Sequence, residues 1–331
     1  VNNDVAAATI ALQRCEAARE PASGPCEISR LNDETVTRGR DILAAVPQTP
    51  HPLYLWKYTG PNATVFLAGS IHLLKPSLYP LPTQYQQAYA RSEHLVLEVN
   101  TDAYEPADIQ RQTLAMARLP ADTRLSDVLP EHLYDRLLRH LDRYGLAGAA
   151  IDGIKPSLLM NQLVVARLLA LGYLPEHGVE EHFLLQIGSR QVEQLETLES
   201  QLELLFEQPM PVQVQLLADT LDQEMAIEPI LTGLLIAWLS GDDAALAELF
   251  EAQTGDSELV RDFNEQLLDQ RNIQMVERIE QIISSGKGDY FILVGAAHYL
   301  GEQGIPALLR ERGINGRRIT SDTPLAIINS D

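Results

Sequence analysis

Val65-Phe66-Leu67-Ala68-Gly69-Ser70-Ile71-His72 and Phe291-Ile292-Leu293-Val294-Gly295-Ala296-Ala297-His298 stand 226 residues apart in a chain of 331, and they read almost alike. Each is an apolar run ending in G-x-x-H. Bulky apolar residues in succession, broken by a glycine, predict a strand buried on both faces that turns sharply as it leaves its sheet. If the two strands are parallel in one sheet, both histidines emerge along one edge, where open α/β sheets place their ligands. The expected fold is therefore α/β, with a central mixed sheet carrying paired G-x-x-H strand ends.

Around these anchors, residues 53–58 (LYLWKY) have strand character, and Gly60-Pro61-Asn62 predicts a hairpin turn into the first motif. A helix is expected over 84–91. The run His94-Leu95-Val96-Leu97-Glu98-Val99-Asn100 then forms a strand with one carboxylate, Glu98, near its far end. From 106 to about 172 the spacing turns helical, with Leu129, Leu133, Leu137, Leu138 and Leu141 as one stripe. A helix opens at Gly178, a short strand over 191–195 leads to Glu196, and helices are predicted over 212–239, 242–250 and 259–283. A helix over 306–312 and a strand over 318–320 close the chain. The α/β domain thus covers 51–331 and includes a helical insertion, about 106–260, expected to form a cap. Residues 1–50 read as an N-terminal helical extension, with helices over 5–18 and 33–45.

Forty-six acidic side chains against 25 basic ones leave a net charge of −21, which repels polyanions and excludes nucleic acid as a main partner. The apolar stretch 230–239, flanked by Glu228 and Asp242, is half the length of a bilayer span, so no membrane span is expected. The oligomeric state is not legible. Cys15 and Cys26, the only cysteines, bracket a turn-rich segment with Pro21, Gly24 and Pro25 and match no zinc motif. They are expected to form a disulfide adding about 2–3 kcal/mol of local stability. That implies export to an oxidising compartment, periplasmic or extracellular. The chain begins Val1-Asn2-Asn3 without methionine, as a trimmed chain or a mature form that has lost a targeting segment would.

Histidines recurring after matching strands suit metal binding or general base chemistry near pH 7. Gly69 and Gly295, three residues before them, let the backbone bend close to an ion or substrate. Glu98, beyond a buried run, needs a partner, a proton or a metal. With His72 and His298 it makes an incomplete shell for zinc, manganese, cobalt or iron(II). An ion there would acidify its water and polarise a carbonyl, as metal-assisted hydrolysis requires. The alternative for Glu98 is an ion pair with Arg271. Arg271-Asn272 lies within the expected helix 259–283, where polar residues usually face solvent. Glu180 and Glu196 are candidate supporting acids, and Tyr299 is either a core aromatic or a phenol over the site. No H-E-x-x-H, G-x-S-x-G, P-loop or G-x-G-x-x-G is present.

The ordered set Gly69-Ser70-Ile71-His72, Leu97-Glu98, Gly178-Val179-Glu180, Leu195-Glu196-Thr197, Arg271-Asn272 with Met275, and Gly295-Ala296-Ala297-His298-Tyr299-Leu300-Gly301-Glu302-Gln303-Gly304 resembles the TraB/GumN family, which is related to the Tiki metalloproteases. The resemblance runs from about residue 53 to 320. It implies an α/β core with paired G-x-x-H motifs and a glutamate around a divalent metal (Mn, Co or Zn), and, from the Tiki branch, a peptide or protein substrate. By motif, His72, Glu98 and His298 fall on the functional positions and Arg271 on the family arginine. Glu180 departs from the family pattern, which often has aspartate there. The leading expectation is a metal-dependent peptidase. Its rival is a protein that binds a metal, haem or a peptide without turnover, with His298 or Tyr299 as a haem ligand.

Overall fold

The computed structural model describes residues 4–20, 23–146, 151–254 and 258–325. Its strands are β1 (Arg30–Leu31), β2 (Glu34–Thr35), β3 (Pro52–Thr59), β4 (Ala63–Ser70), β5 (His94–Leu97), β6 (Gln191–Gln194), β7 (Gly288–Gly295) and β8 (Arg317–Thr320). Six of them form one mixed sheet in the order β6-β5-β7-β4-β3-β8. The fold is α/β as expected.

The two motif strands are neighbours. β4 and β7 pair in parallel from Ala63 opposite Gly288 to Ser70 opposite Gly295. Phe66, Leu67, Ala68, Phe291, Ile292 and Leu293 are all fully buried, so this pair is the apolar centre of the sheet. β5 lies parallel to β7 on one side and to β6 beyond it. On the other side the hairpin β3–β4 closes through Gly60, whose N–H donates to the Ala63 carbonyl, and β8 pairs antiparallel to β3. Four parallel strands, β6, β5, β7 and β4, therefore end along one edge.

The chain divides into two compact units. One comprises Gly39–Thr101, Pro175–Thr197 and Thr232–Asp331 and contains the sheet. The other, Val1–Arg38, Asp102–Leu174 and Leu198–Leu231, is mainly helical. In it the first helix, Asp4–Ala18, packs on Pro156–Ala170, and Arg167 reaches Glu34 at 3.2 Å. Cys15 and Cys26 are joined as a disulfide, with Cα atoms 5.9 Å apart. Pro21, part of the expected turn, lies outside the described residues. No helix among the described residues is long and apolar enough to cross a membrane.

Three helix expectations are corrected. The helix over 33–45 covers only Gly39–Ala45, because Asn32 and Asp33 take left-handed backbone angles (φ 49° and 67°) and turn β1 into β2. Asn and Asp tolerate that region, so turn chemistry overrides helical spacing there. The helix over 212–239 is two, Met210–Gln223 and Ile227–Ser240, separated by a 3₁₀ turn, Glu224–Ala226. The helix over 259–283 is broken by a π turn, Gln266–Gln270, after which Arg271–Ser285 begins. A helix at Leu198–Phe206 was not expected.

Gly69 is explained by packing. A Cβ there would sit 2.8 Å from the Tyr54 Cβ, while its carbonyl accepts the Trp238 indole N–H at 3.1 Å and the Tyr85 hydroxyl at 3.2 Å. The glycine lets β4 press against the aromatic residue of β3. Gly69→Ala is expected to cost about 1–3 kcal/mol in urea unfolding. In a Tyr54→Gly background, which removes the Cβ that the new methyl would meet, the added cost should shrink by more than 0.5 kcal/mol, on the order of the coupling typical of contacting residues. An undiminished cost would sink the packing account.

Candidate functional site

The second histidine is built into the end of β7. Its chain turns at Gly295 into a single 3₁₀ turn, Ala296–Tyr299, and His298 is buried at 4% exposure. His298 Nδ1 lies 2.5 Å from Asn272 Oδ1, and Asn272 Nδ2 donates to the Gln303 carbonyl at 2.8 Å. A carbonyl only accepts, so this contact fixes the amide with Oδ1 toward the imidazole. Nδ1 must then carry the hydrogen, which leaves the Nε2 lone pair free in the neutral ring. Nε2 stands 4.0 Å from Glu98 Oε1. Asn272 is 2% exposed and Arg271 reaches Glu98, so of the two alternatives for Arg271-Asn272 the inward one holds and the solvated face does not.

The first histidine is held differently. His72, two residues past β4, has its Nδ1 3.0 Å from Glu180 Oε1, and its side chain is 65% exposed. The Ser70 hydroxyl donates to the same oxygen. Glu180 sits in the first turn of the helix Val179–Leu184, docked by the Val179 N–H donating to the Ile71 carbonyl at 3.0 Å. Gly178 permits that docking, because a Cβ there would fall on the His72 carbonyl oxygen. Ser70 and Gly178 were not singled out as site residues, yet they touch Glu180 and the His72 backbone. Their signal was present in Gly69-Ser70 and Gly178-Val179-Glu180, but only proximity gives it meaning.

Glu98 stands immediately after β5, the strand beside β7, and is 9% exposed. Oε1 accepts the Gly295 N–H at 2.5 Å and Oε2 accepts Arg271 Nη2 at 2.6 Å. The same guanidinium grips Glu196, with Nε 2.9 Å from Oε1 and Nη2 2.7 Å from Oε2. The ion-pair alternative for Glu98 is thus realised, with Glu196 sharing the arginine. Tyr299 takes the core-aromatic alternative: it is buried, stacked on Trp56 at 5.0 Å and edge-on to Tyr54 at 6.0 Å.

Electrostatics separates the roles. Burial opposes the Glu98 charge, yet the His298 and His72 imidazoles, the Arg271 guanidinium and the Gly295 N–H outweigh it and hold the carboxyl at about 2. Burial pushes His298 down to about 4 against the pull of Glu98. The Glu180 carboxylate moves His72 upward, partly screened by water at the exposed ring. The side chains of Glu98, Glu180 and Glu196 outnumber the one guanidinium, so the site holds an excess of acidic groups. That excess and the nitrogen and oxygen donors fit a divalent cation. Among the described residues, no three His, Cys, Asp or Glu side chains are gathered as a ready ligand shell.

His298 makes a pH prediction. Its folded pKa of about 4 lies below the unfolded value near 6.5, so between them the unfolded chain binds a proton that the folded one does not. In metal-free protein, stability should fall on the order of 2–3 kcal/mol as pH drops from about 6.5 to about 4. Glu98 acts in the same direction at lower pH, its contribution fading from about 4.5 towards about 2. Urea unfolding across this range in EDTA should show the first loss in the wild type and its absence in His298→Gln; equal slopes would refute the burial argument.

The TraB/PrgY/gumN family matches over residues 54–318. The chain is 27% identical over 264 residues to the uncharacterised protein YbaP of Escherichia coli K12, covering 75% of this chain and 89% of YbaP. It is 23% identical over 319 residues to a Metalloprotease TIKI homolog of Amphimedon queenslandica, covering 81% of this chain and 61% of that protein. No solved structure matches. With paired G-x-x-H strand ends meeting at one sheet edge within the matched residues, the chain belongs to the TraB/PrgY/gumN family.

Proposed function

We propose that the protein is a divalent-metal-dependent hydrolase acting on peptide bonds, with His72, Glu98 and His298 as ligands and Mn, Co or Zn as the ion. The observation that carries this reading is that each imidazole has its Nδ1 engaged by an oxygen from another element, Glu180 for His72 and Asn272 for His298. Metal-ligating histidines are held this way, because an acceptor at one nitrogen sets the tautomer and leaves the other nitrogen to the ion. A bound ion would supply a Lewis acid for a carbonyl and for water.

The chain's own residues supply the rest. Arg271 and the Gly295 N–H keep Glu98 ionised and oriented, able to ligate an ion. Glu196 holds Arg271 from the far side, so the guanidinium stays in place as substrate charge arrives. His298 stays neutral at physiological pH, and His72 is open to solvent, where a substrate can reach it. The peptide substrate class rests on the metalloprotease name of the sponge relative. The Cys15–Cys26 disulfide supports export to the periplasm or beyond.

A second reading, capture of a metal, haem or peptide without turnover, draws on the engagement of both Glu98 oxygens by the protein itself. One experiment separates the two. A mixed peptide library is incubated with purified protein in EDTA and then with Mn²⁺, Co²⁺ or Zn²⁺, and cleavage is read by mass spectrometry. Cleavage should need metal and fall at least a hundredfold in His298→Ala and in His72→Ala, on the order of losing a ligand and its orientation. Unchanged turnover in His298→Ala removes the proposal; metal binding without cleavage transfers the assignment to capture.

A further inference from the structure

The two G-x-x-H motifs differ at their second position, Ser70 in one and Ala296 in the other. Ser70 is 1% exposed, and its hydroxyl donates to Glu180 Oε1, the oxygen that also faces His72 Nδ1. Residues two apart at a strand end point to one side, so Ser70 and His72 reach the same carboxylate oxygen together. Ala296 has no hydroxyl, and on that side the third partner is the Gln303 carbonyl, which takes the Asn272 amide N–H at 2.8 Å. Both histidines thus sit at the end of a three-member chain: ring, acceptor, and a group that fixes the acceptor.

We infer that Ser70 is a positioning residue for His72, acting through Glu180. The functional consequence rests on the metal-site reading above, whereas the positioning itself does not. A carboxylate on two methylenes rotates broadly about its last bond, so one contact to an exposed imidazole leaves its orientation loose. The buried hydroxyl adds a charge-assisted hydrogen bond from the rigid end of β4, locking Glu180 and with it the Nδ1–H form of His72. The second position of the first motif therefore requires a hydroxyl, and that of the second motif does not.

The test uses full-length protein with ¹⁵N-labelled histidine, free of metal, at one pH above the titration of the His72 ring, where the imidazole is neutral. Long-range ¹H–¹⁵N spectra are recorded for the wild type, Ser70→Ala, Ala296→Ser, Glu180→Ala and the Ser70→Ala/Glu180→Ala double variant. Ser70→Ala should move the His72 ring signals towards mixed tautomers and leave His298 in place, and Ala296→Ser should leave His72 unmoved. In the Glu180→Ala background, removing Ser70 should change His72 no further, since the acceptor it acts through is already gone. Mn²⁺ affinity by calorimetry should fall about tenfold in Ser70→Ala. Unchanged His72 signals in Ser70→Ala, or an equal additional shift in the double variant, overturn the inference. A wild type that binds no Mn²⁺, Co²⁺ or Zn²⁺ would count against the metal reading alone, and the spectra would still decide the role of Ser70.

Discussion

The parallel pairing of β4 with β7 governs this protein's chemistry. A one-residue slip in that ladder would turn every side chain of one strand to the opposite face. It would also part Ser70 from Gly295, the last pair in register, from which the two histidine turns depart. Such a slip is opposed by a continuous block of fully buried side chains on both strands. Apolar burial sets the ladder, the ladder sets the positions of the two strand ends, and the strand ends set which polar residues meet. The energetics of the sheet centre and the geometry of the site are therefore one problem.

Arg271 solves the other half. Glu98 and Glu196 follow adjacent parallel strands, and the Glu196 N–H donates to the Glu98 carbonyl at 2.8 Å, so two carboxylates are brought side by side at low exposure. Left alone, such a pair would protonate or separate. A guanidinium presents a planar fork that two carboxylates can share, which a lysine's point charge cannot match. The π turn before Arg271 changes the helical phase at the position where this fork is needed, consistent with the frequent occurrence of such turns at functional sites.

Much of this was legible in the residues. Unbroken apolar runs announced the sheet, and a glycine followed three residues later by a histidine marked where strands end. The candidate ligands and their arginine stood out because they recur in ordered motifs. What could not be read depended on three-dimensional proximity or on small backbone choices. Asn32-Asp33 looks helical by spacing and is a turn by conformation. A π turn leaves no periodic trace in five residues, and helical spacing alone left both an inward and a solvated place open for Asn272, which is buried against His298. The Ser70 hydroxyl gains its meaning from Glu180, 110 positions away. Gly69 stands out in the sequence by its motif, whereas the Tyr54 ring it accommodates is visible only in three dimensions.

The shared grip of Arg271 on Glu98 and Glu196 also bears on how the helix Arg271–Ser285 is seated. Apolar contacts along a helix tolerate small slides, since one methyl group replaces another at little cost. Two like charges side by side do not, because a displaced guanidinium would uncover a repelling pair. The arginine therefore works as an index mark, fixing the axial position of a helix that apolar packing alone would leave free to creep.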